Sequence, residues 1–377
     1  MKKKIPVQEP PVTSYMFYMY PLSIMRPHVA FTPWICSNYI QLYHYRGHGL
    51  YFYVSPLSPK GGKKNYYFST CPFLDVQRLE QRIILRTYDD VVQFVISSID
   101  EDCYAQLDVD YFYLPFTEPY KRYHYMHELL ISGYDNTNKT FEISGYNRSW
   151  NYHIATITFD ELYQSVNTVN SNASDGNLFT NNQLVESPMT FLYRIDSRKT
   201  YEIEIRQICE WLSDYLESVH TAEKFCMPFI SQEEGLWGIS VYSYLTETLD
   251  RGRNLETLTI PLRVLWEHKK ITSERIWYLE EQGYIDSGNC LFKEYLEITK
   301  MANHARWLFL KCRKKPKASL VRSAKAILQD IAEREYRVLS NLRKLLEECN
   351  IAPVAASWPP DSLQEAKHAS QFGDQAK

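Results

Sequence analysis

One change of pattern near residue 200 constrains this chain more than any single motif in it. Before that point the apolar residues come in short runs rich in Tyr, Phe, Ile and Val. After it they recur every three to four residues. Of the 30 tyrosines, 23 lie at or before Tyr201 and 7 after it. Aromatic and β-branched runs bounded by Pro, Gly, Asn and Asp read as strands, because such side chains fill a pleated, half-buried surface. They occur at 50–54, 65–68, 110–114, 128–131, 140–143 and 154–159, with a last one at 191–195 that could return to the first sheet. Gly133-Tyr-Asp-Asn-Thr-Asn138 reads as a hairpin loop. Apolar spacing predicts helices over 36–45, 74–85 and 89–99 and a short one over 160–166. The Ser/Asn/Thr-rich stretch 166–188 reads as a surface loop.

Beyond residue 200 the period is 3.6. Ile205, Ile208, Leu212, Tyr215, Leu216 and Val219 share one face, and Leu291, Tyr295, Ile298, Ala302, Ala305 and Phe309 share another. The pattern predicts a bundle of helices. A length of 377 residues suits two domains, since single cores stop growing at roughly 250–300 residues. The expected layout is an α+β domain over 1–200, an all-α helical domain over 201–350 and a mobile tail over 351–377.

The chain is 45% hydrophobic and 23% charged, with a net charge of −3. It therefore carries no global basic field, which argues against a nucleic-acid binder. A run of about 18 apolar residues is absent, so no spanning helix and no membrane partner are expected. The basic start is followed by Gln8-Glu9-Pro10-Pro11 instead of an apolar run and does not read as a secretory signal. Eight scattered cysteines form no C-x-x-C pair, so neither a metal site nor a cofactor is expected, and reduced thiols in the cytoplasm are.

Two segments carry candidate chemistry. Pro33-Trp-Ile-Cys36 places a cysteine at the expected start of a helix, where unpaired N–H groups would favour the nucleophilic thiolate. Against that stands the commoner use of a lone Cys as a small buried hydrophobe. Tyr123-His-Tyr-Met-His127 opens the apolar strand ending in Gly133-Tyr-Asp135, which would hold an imidazole at a fixed place on a sheet. A rigid His facing a helix-borne Cys is what nucleophilic thiol chemistry needs. In the helical half, His268 and Arg275 lie two turns apart on one helix face and could bind an anion or make an interhelical contact. The basic run from Arg306 to Lys325 around Pro316 could dock an acidic partner or simply solvate a turn.

The segment from His127 to Asp135, followed by Thr140-Phe-Glu-Ile143, resembles the His-bearing hairpin of papain-like folds, and most of all the N-terminal domain of the butirosin-biosynthesis protein H family. Asp108-Val-Asp110-Tyr-Phe-Tyr-Leu-Pro115 fits the strand before it, and the likeness covers roughly residues 30–200. The resemblance implies a papain-like antiparallel sheet and an acyl-enzyme thioester on Cys36, with His127 as base. Such members move an acyl group from a carrier-protein thioester to an amine in antibiotic or specialised-peptide biosynthesis. An acyl or peptidyl carrier protein and a small-molecule or peptide substrate would be the partners. Where such folds carry an Asp or Asn after the returning strand, this chain reads Ser144-Gly145-Tyr146, leaving Asn147 to orient the imidazole. Neither Gln nor Asn closely precedes Cys36 to build an oxyanion hole. Asp110, Tyr113, Tyr123, His124 and Tyr134 flank the hairpin as substrate-binding candidates. The other readings are a non-catalytic binding or scaffold protein on a degenerate papain-like fold, and a cysteine peptidase.

Overall fold

A computed structural model describes residues 1–45, 49–54, 71–88, 90–174, 188–224, 235–251, 255–314 and 318–350. The run expected at 65–68, the tail 351–377 and part of the basic run lie outside these residues. In chain order, the first half comprises β1 (Lys2–Lys4), α1 (Met16–Met25), α2 (Phe31–Asn38), β2 (Gln41–Tyr45) and β3 (Gly49–Tyr53). There follow β4 (Leu74–Glu80), α3 (Gln81–Thr87), α4 (Val91–Asp100), β5 (Tyr104–Asp110), β6 (Met126–Asp135), β7 (Thr140–Tyr146), β8 (Tyr152–Thr158), α5 (Phe159–Ser174) and β9 (Met189–Ile195). The second half adds α6 (Ile205–Leu216), β10 (Gly235–Trp237), α7 (Val241–Arg251), α8 (Thr259–Glu281), α9 (Leu291–Lys314) and α10 (Ala318–Asn350).

The main sheet is antiparallel, in the order β4-β9-β5-β6-β7-β8. Its centre is β6, whose residues from Glu128 to Tyr134 are all buried, so both faces of that strand are covered. The 191–195 run does return to this sheet, between β4 and β5. β5 pairs with β6 as far as Ala105↔Ile131, and β1 takes over the same side at Gly133. That close approach explains a glycine, because a Cβ on Gly133 would stand 2.7 Å from the Lys3 carbonyl oxygen.

Four expectations need correction. Residues 36–45 are not one helix: α2 ends at Asn38, and Gln41–Tyr45 pairs on both sides, with β3 and β10. Residues 74–80 are likewise a strand, recruited by the full length of β9, with only the following turn and a half helical. In both cases an apolar spacing that fits a helix was overridden by strand pairing, with β3 and β10 for the first and the distant β9 for the second. The third is the stretch from 166, which is helical as far as Ser174, since α5 buries Leu162, Val166 and Val169 and leaves its polar side outward. The strand expected over 110–114 ends at Asp110 and passes into a 3₁₀ turn.

The smaller sheet, β10-β2-β3, takes strands from both sides of residue 200. One continuous apolar cluster joins α1, α2, β2 and β3 to α6, α8, α9 and α10. The compositional change therefore marks where helices begin to dominate, while the packing runs across it.

A buried ionic network ties the helices together. Lys269 and Glu335, both 0% exposed, pair at 2.6 Å. Glu335 also accepts hydrogen bonds from the hydroxyls of Tyr215, Tyr242 and Tyr295. Lys269 Nζ donates to His268 Nδ1 at 3.0 Å, and the His268 Nε2–H donates to the Ile40 carbonyl at 2.7 Å. Each ion is thus compensated and hydrogen-bonded, which a buried pair requires. Of the two readings of His268 and Arg275, the polar contact is the one seen: His268 holds Ile40, and the fully buried Arg275 donates to the carbonyls of Cys36 and Tyr39 at 2.6 and 2.8 Å.

Burial and the neighbouring Lys269 ammonium push the His268 imidazole well below its usual pKa, so it stays neutral when folded. Below the ordinary histidine value the unfolded chain binds a proton that the native chain refuses, so stability falls with falling pH. Urea unfolding at pH 6.5 and 5.5 should show a larger loss for the wild type than for His268→Gln. The expected difference approaches about 1.4 kcal/mol per pH unit; equal losses would remove His268 from the balance.

Candidate functional site

Cys36 is the sixth of eight residues in α2, in its last turn. The expected placement at a helix start is therefore reversed. The local dipole end is negative and disfavours a thiolate. Its carbonyl is one of the orphan acceptors of a helix end, and Arg275 satisfies it. The side chain is 0% exposed, and burial pushes the thiol up to about 12 against the pull of Arg275. Such a sulfur is a small core hydrophobe. Among the described residues, no hydrogen bond joins Cys36 to His127, whose ring lies among Tyr111, Tyr125, Tyr146 and Trp150.

His127 is the second residue of β6, 21% exposed. Its Nδ1 lies 2.7 Å from Glu128 Oε2 and 2.9 Å from the Glu128 amide nitrogen. One nitrogen cannot donate to the first and accept from the second at once. The buried carboxylate is the stronger partner, which places the proton on Nδ1. Asn147 does not orient this ring. Its Oδ1 accepts from the amides of Ser149 and Asn151 and shapes the β7–β8 turn. That turn carries Trp150, in the left-handed region at φ 58° and 37% exposed, beside His127 and Tyr125.

Asp110 and His124 are brought together. Asp110, at the end of β5, is completely buried and accepts three hydrogen bonds. The amides of Phe112 and Tyr125 donate to Oδ1 at 3.1 and 3.0 Å, and His124 Nδ1 lies 2.6 Å from Oδ2. The His124 ring stacks on Phe112 at 4.4 Å and its side chain is 49% exposed. The buried carboxylate is the partner of Nδ1, which leaves Nε2 as the acceptor of a half-exposed ring. That is an oriented acid–base group.

The remaining candidates divide. Tyr113 is tilted against His124 at 6.3 Å and accepts from Thr168. Tyr123 donates to Glu118 on the same rim. Tyr134 is at the far end of β6, buried, its hydroxyl on Asp100 at 2.7 Å and pushed up to about 12 by that carboxylate. It packs the sheet and does not line this edge. Asp135 completes the hairpin turn through the amides of Thr137 and Asn138. The Gly-Tyr-Asp part of the motif is therefore structural in this chain.

Sequence reading missed Trp150, whose signal is a large aromatic in a five-residue turn between strands. Among the described residues, no group of three or more His, Cys, Asp or Glu is arranged to hold a metal, and no helix is long and apolar enough to cross a membrane. No protein-family model matches the chain, and no curated protein matches it.

Proposed function

We propose that this chain is a binding protein on a degenerate papain-like sheet that does not use thiol chemistry. Its ligand surface is the edge formed by His124, Tyr125, His127 and Trp150. The observation that carries the reading is Cys36: enclosed, in the last turn of α2, its carbonyl held by Arg275, and with no histidine partner among the described residues. The edge offers aromatic faces with a polar atom close by, a surface that suits a partly apolar ligand such as an acyl chain or peptide side chain. The resemblance to the butirosin protein H family makes an acylated carrier protein the partner to try first.

The test is incubation with an acylated carrier protein and an acyl N-acetylcysteamine thioester, followed by intact mass. The expected results are no acyl adduct on the protein, and carrier binding that is weakened by Trp150→Ala and indifferent to Cys36→Ala. An adduct on the wild type that Cys36→Ala abolishes would reinstate the thiol acyltransferase. Release of a peptide fragment from a leader-bearing substrate, again lost in Cys36→Ala, would reinstate the peptidase.

One observation favours a second reading, in which the edge also moves a proton. The Asp110–His124 pair is oriented as a general base would be, with Nε2 outward. It could deprotonate an amine or hydroxyl attacking a bound thioester directly, without an acyl-enzyme. Product formation in the same assay that survives Cys36→Ala and drops by about 100-fold in His124→Gln supports it; a rate unchanged in His124→Gln excludes it.

A further inference from the structure

Away from the sheet edge, α8 and α9 place a set of cations against tryptophan. Arg263, Trp266, Glu267 and Lys270 lie at helical spacing along α8. Arg306 comes from the antiparallel α9, its guanidinium 5.2 Å from the ring centre of Trp266 and 5.4 Å from that of Trp307. Lys270 Nζ stands 5.0 Å over the same Trp266 ring.

The charges do not balance locally. Glu267 is the carboxylate of the group, engaged through Oε1, while its Oε2 is buried with no hydrogen-bond partner among the described residues. Its Oε1 accepts from the amide and hydroxyl of Thr13 and lies 3.3 Å from Arg263 Nε. Arg263 NH2 donates to Thr13 Oγ1 at 2.6 Å. One of three cations is thereby compensated, which leaves Arg306 and Lys270. Stacking occupies the faces of the Arg306 guanidinium and leaves its N–H edge free for a fork of donors. Among the described residues, that edge makes one long contact, 3.4 Å to Asn303 Oδ1. Burial and the charge of Arg263 press on Arg306 to give up its proton, and Glu267 pulls the other way more weakly. Trp307, 53% exposed, borders the cluster.

We propose that Arg306, Lys270 and Trp307 form a binding site for a phosphomonoester carried on an apolar or aromatic body. Two uncompensated cations match a phosphomonoester, which carries roughly −1.5 to −2 at neutral pH, better than a singly charged carboxylate. The guanidinium edge and the ammonium hold the phosphate oxygens, and Trp307 stacks on the organic part. This site and the His124–Trp150 edge share no side chain; Thr13 stands between them, its carbonyl accepting from the Tyr146 hydroxyl and its amide donating to Glu267.

The probe is phenyl phosphate, titrated against the full-length protein and followed by the indole N–H signals in NMR, with inorganic phosphate and benzoate as comparisons. The expected order of affinity is phenyl phosphate, then inorganic phosphate, then benzoate. Added salt should weaken all three, and Arg306→Gln should weaken phenyl phosphate by about tenfold. Trp307→Ala should weaken phenyl phosphate and leave inorganic phosphate unchanged. Urea midpoints identical to wild type show that each variant folds, and Lys270→Gln replaces Arg306→Gln if the latter does not. Absence of saturable binding, or binding indifferent to Arg306→Gln and Lys270→Gln, overturns the site. Benzoate binding as tightly as phenyl phosphate overturns the phosphate assignment.

Discussion

Glu335 is the carboxylate on which the helical half of this protein is organised. It lies on α10, and its partners come one each from α6, α7, α8 and α9. A fully buried carboxylate costs several kcal/mol to desolvate and tolerates few alternative arrangements. Removing one member of such a pair typically costs about 3–5 kcal/mol, because the remaining ion is left uncompensated. The five helices must therefore arrive together, and one geometry satisfies all the donors.

The same constraint reaches across residue 200. Lys269 passes the network to His268 and so to the Ile40 carbonyl, and two turns later Arg275 grips Cys36 and Tyr39 through their carbonyls. Residues 36–40, the join between α2 and β2, are held by α8 from behind. The cost of burying Arg275 is visible in its guanidinium, pushed down to about 10 by desolvation. This clamp explains why Cys36 is a core residue. Its backbone caps a helix end against a buried cation, and its sulfur faces apolar packing. His127 meanwhile stands at the start of β6 in the main sheet, among aromatic rings.

How much of this the sequence revealed depends on which interactions are local. The β6–β7 hairpin, α4 and the long C-terminal helices were legible, because their patterns repeat within a few residues. The strands β2 and β4 were not: β4 is decided by β9, far along the chain, and β2 by its neighbour β3 together with the distant β10. For the site, the flanking residues Asp110, His124 and Tyr113 were found by proximity to the hairpin, and the first two do form a pair. Their roles were not legible, since nothing local distinguishes a carboxylate receiving three donors from one facing solvent. Cys36 was misplaced for the same reason: a helix end two residues away turns a favourable dipole into an unfavourable one.

The central claim is that the α8 clamp makes Cys36 part of the fold and not of the chemistry. The measurement that tests it most directly is the alkylation rate of Cys36 by iodoacetamide across a urea series, read by peptide mass spectrometry with the exposed Cys290 as an internal reference. The account predicts that Cys290 reacts in the native protein while Cys36 reacts only as the whole chain unfolds, with the same midpoint and urea dependence. Alkylation of Cys36 in native conditions at a rate comparable to Cys290 would contradict it.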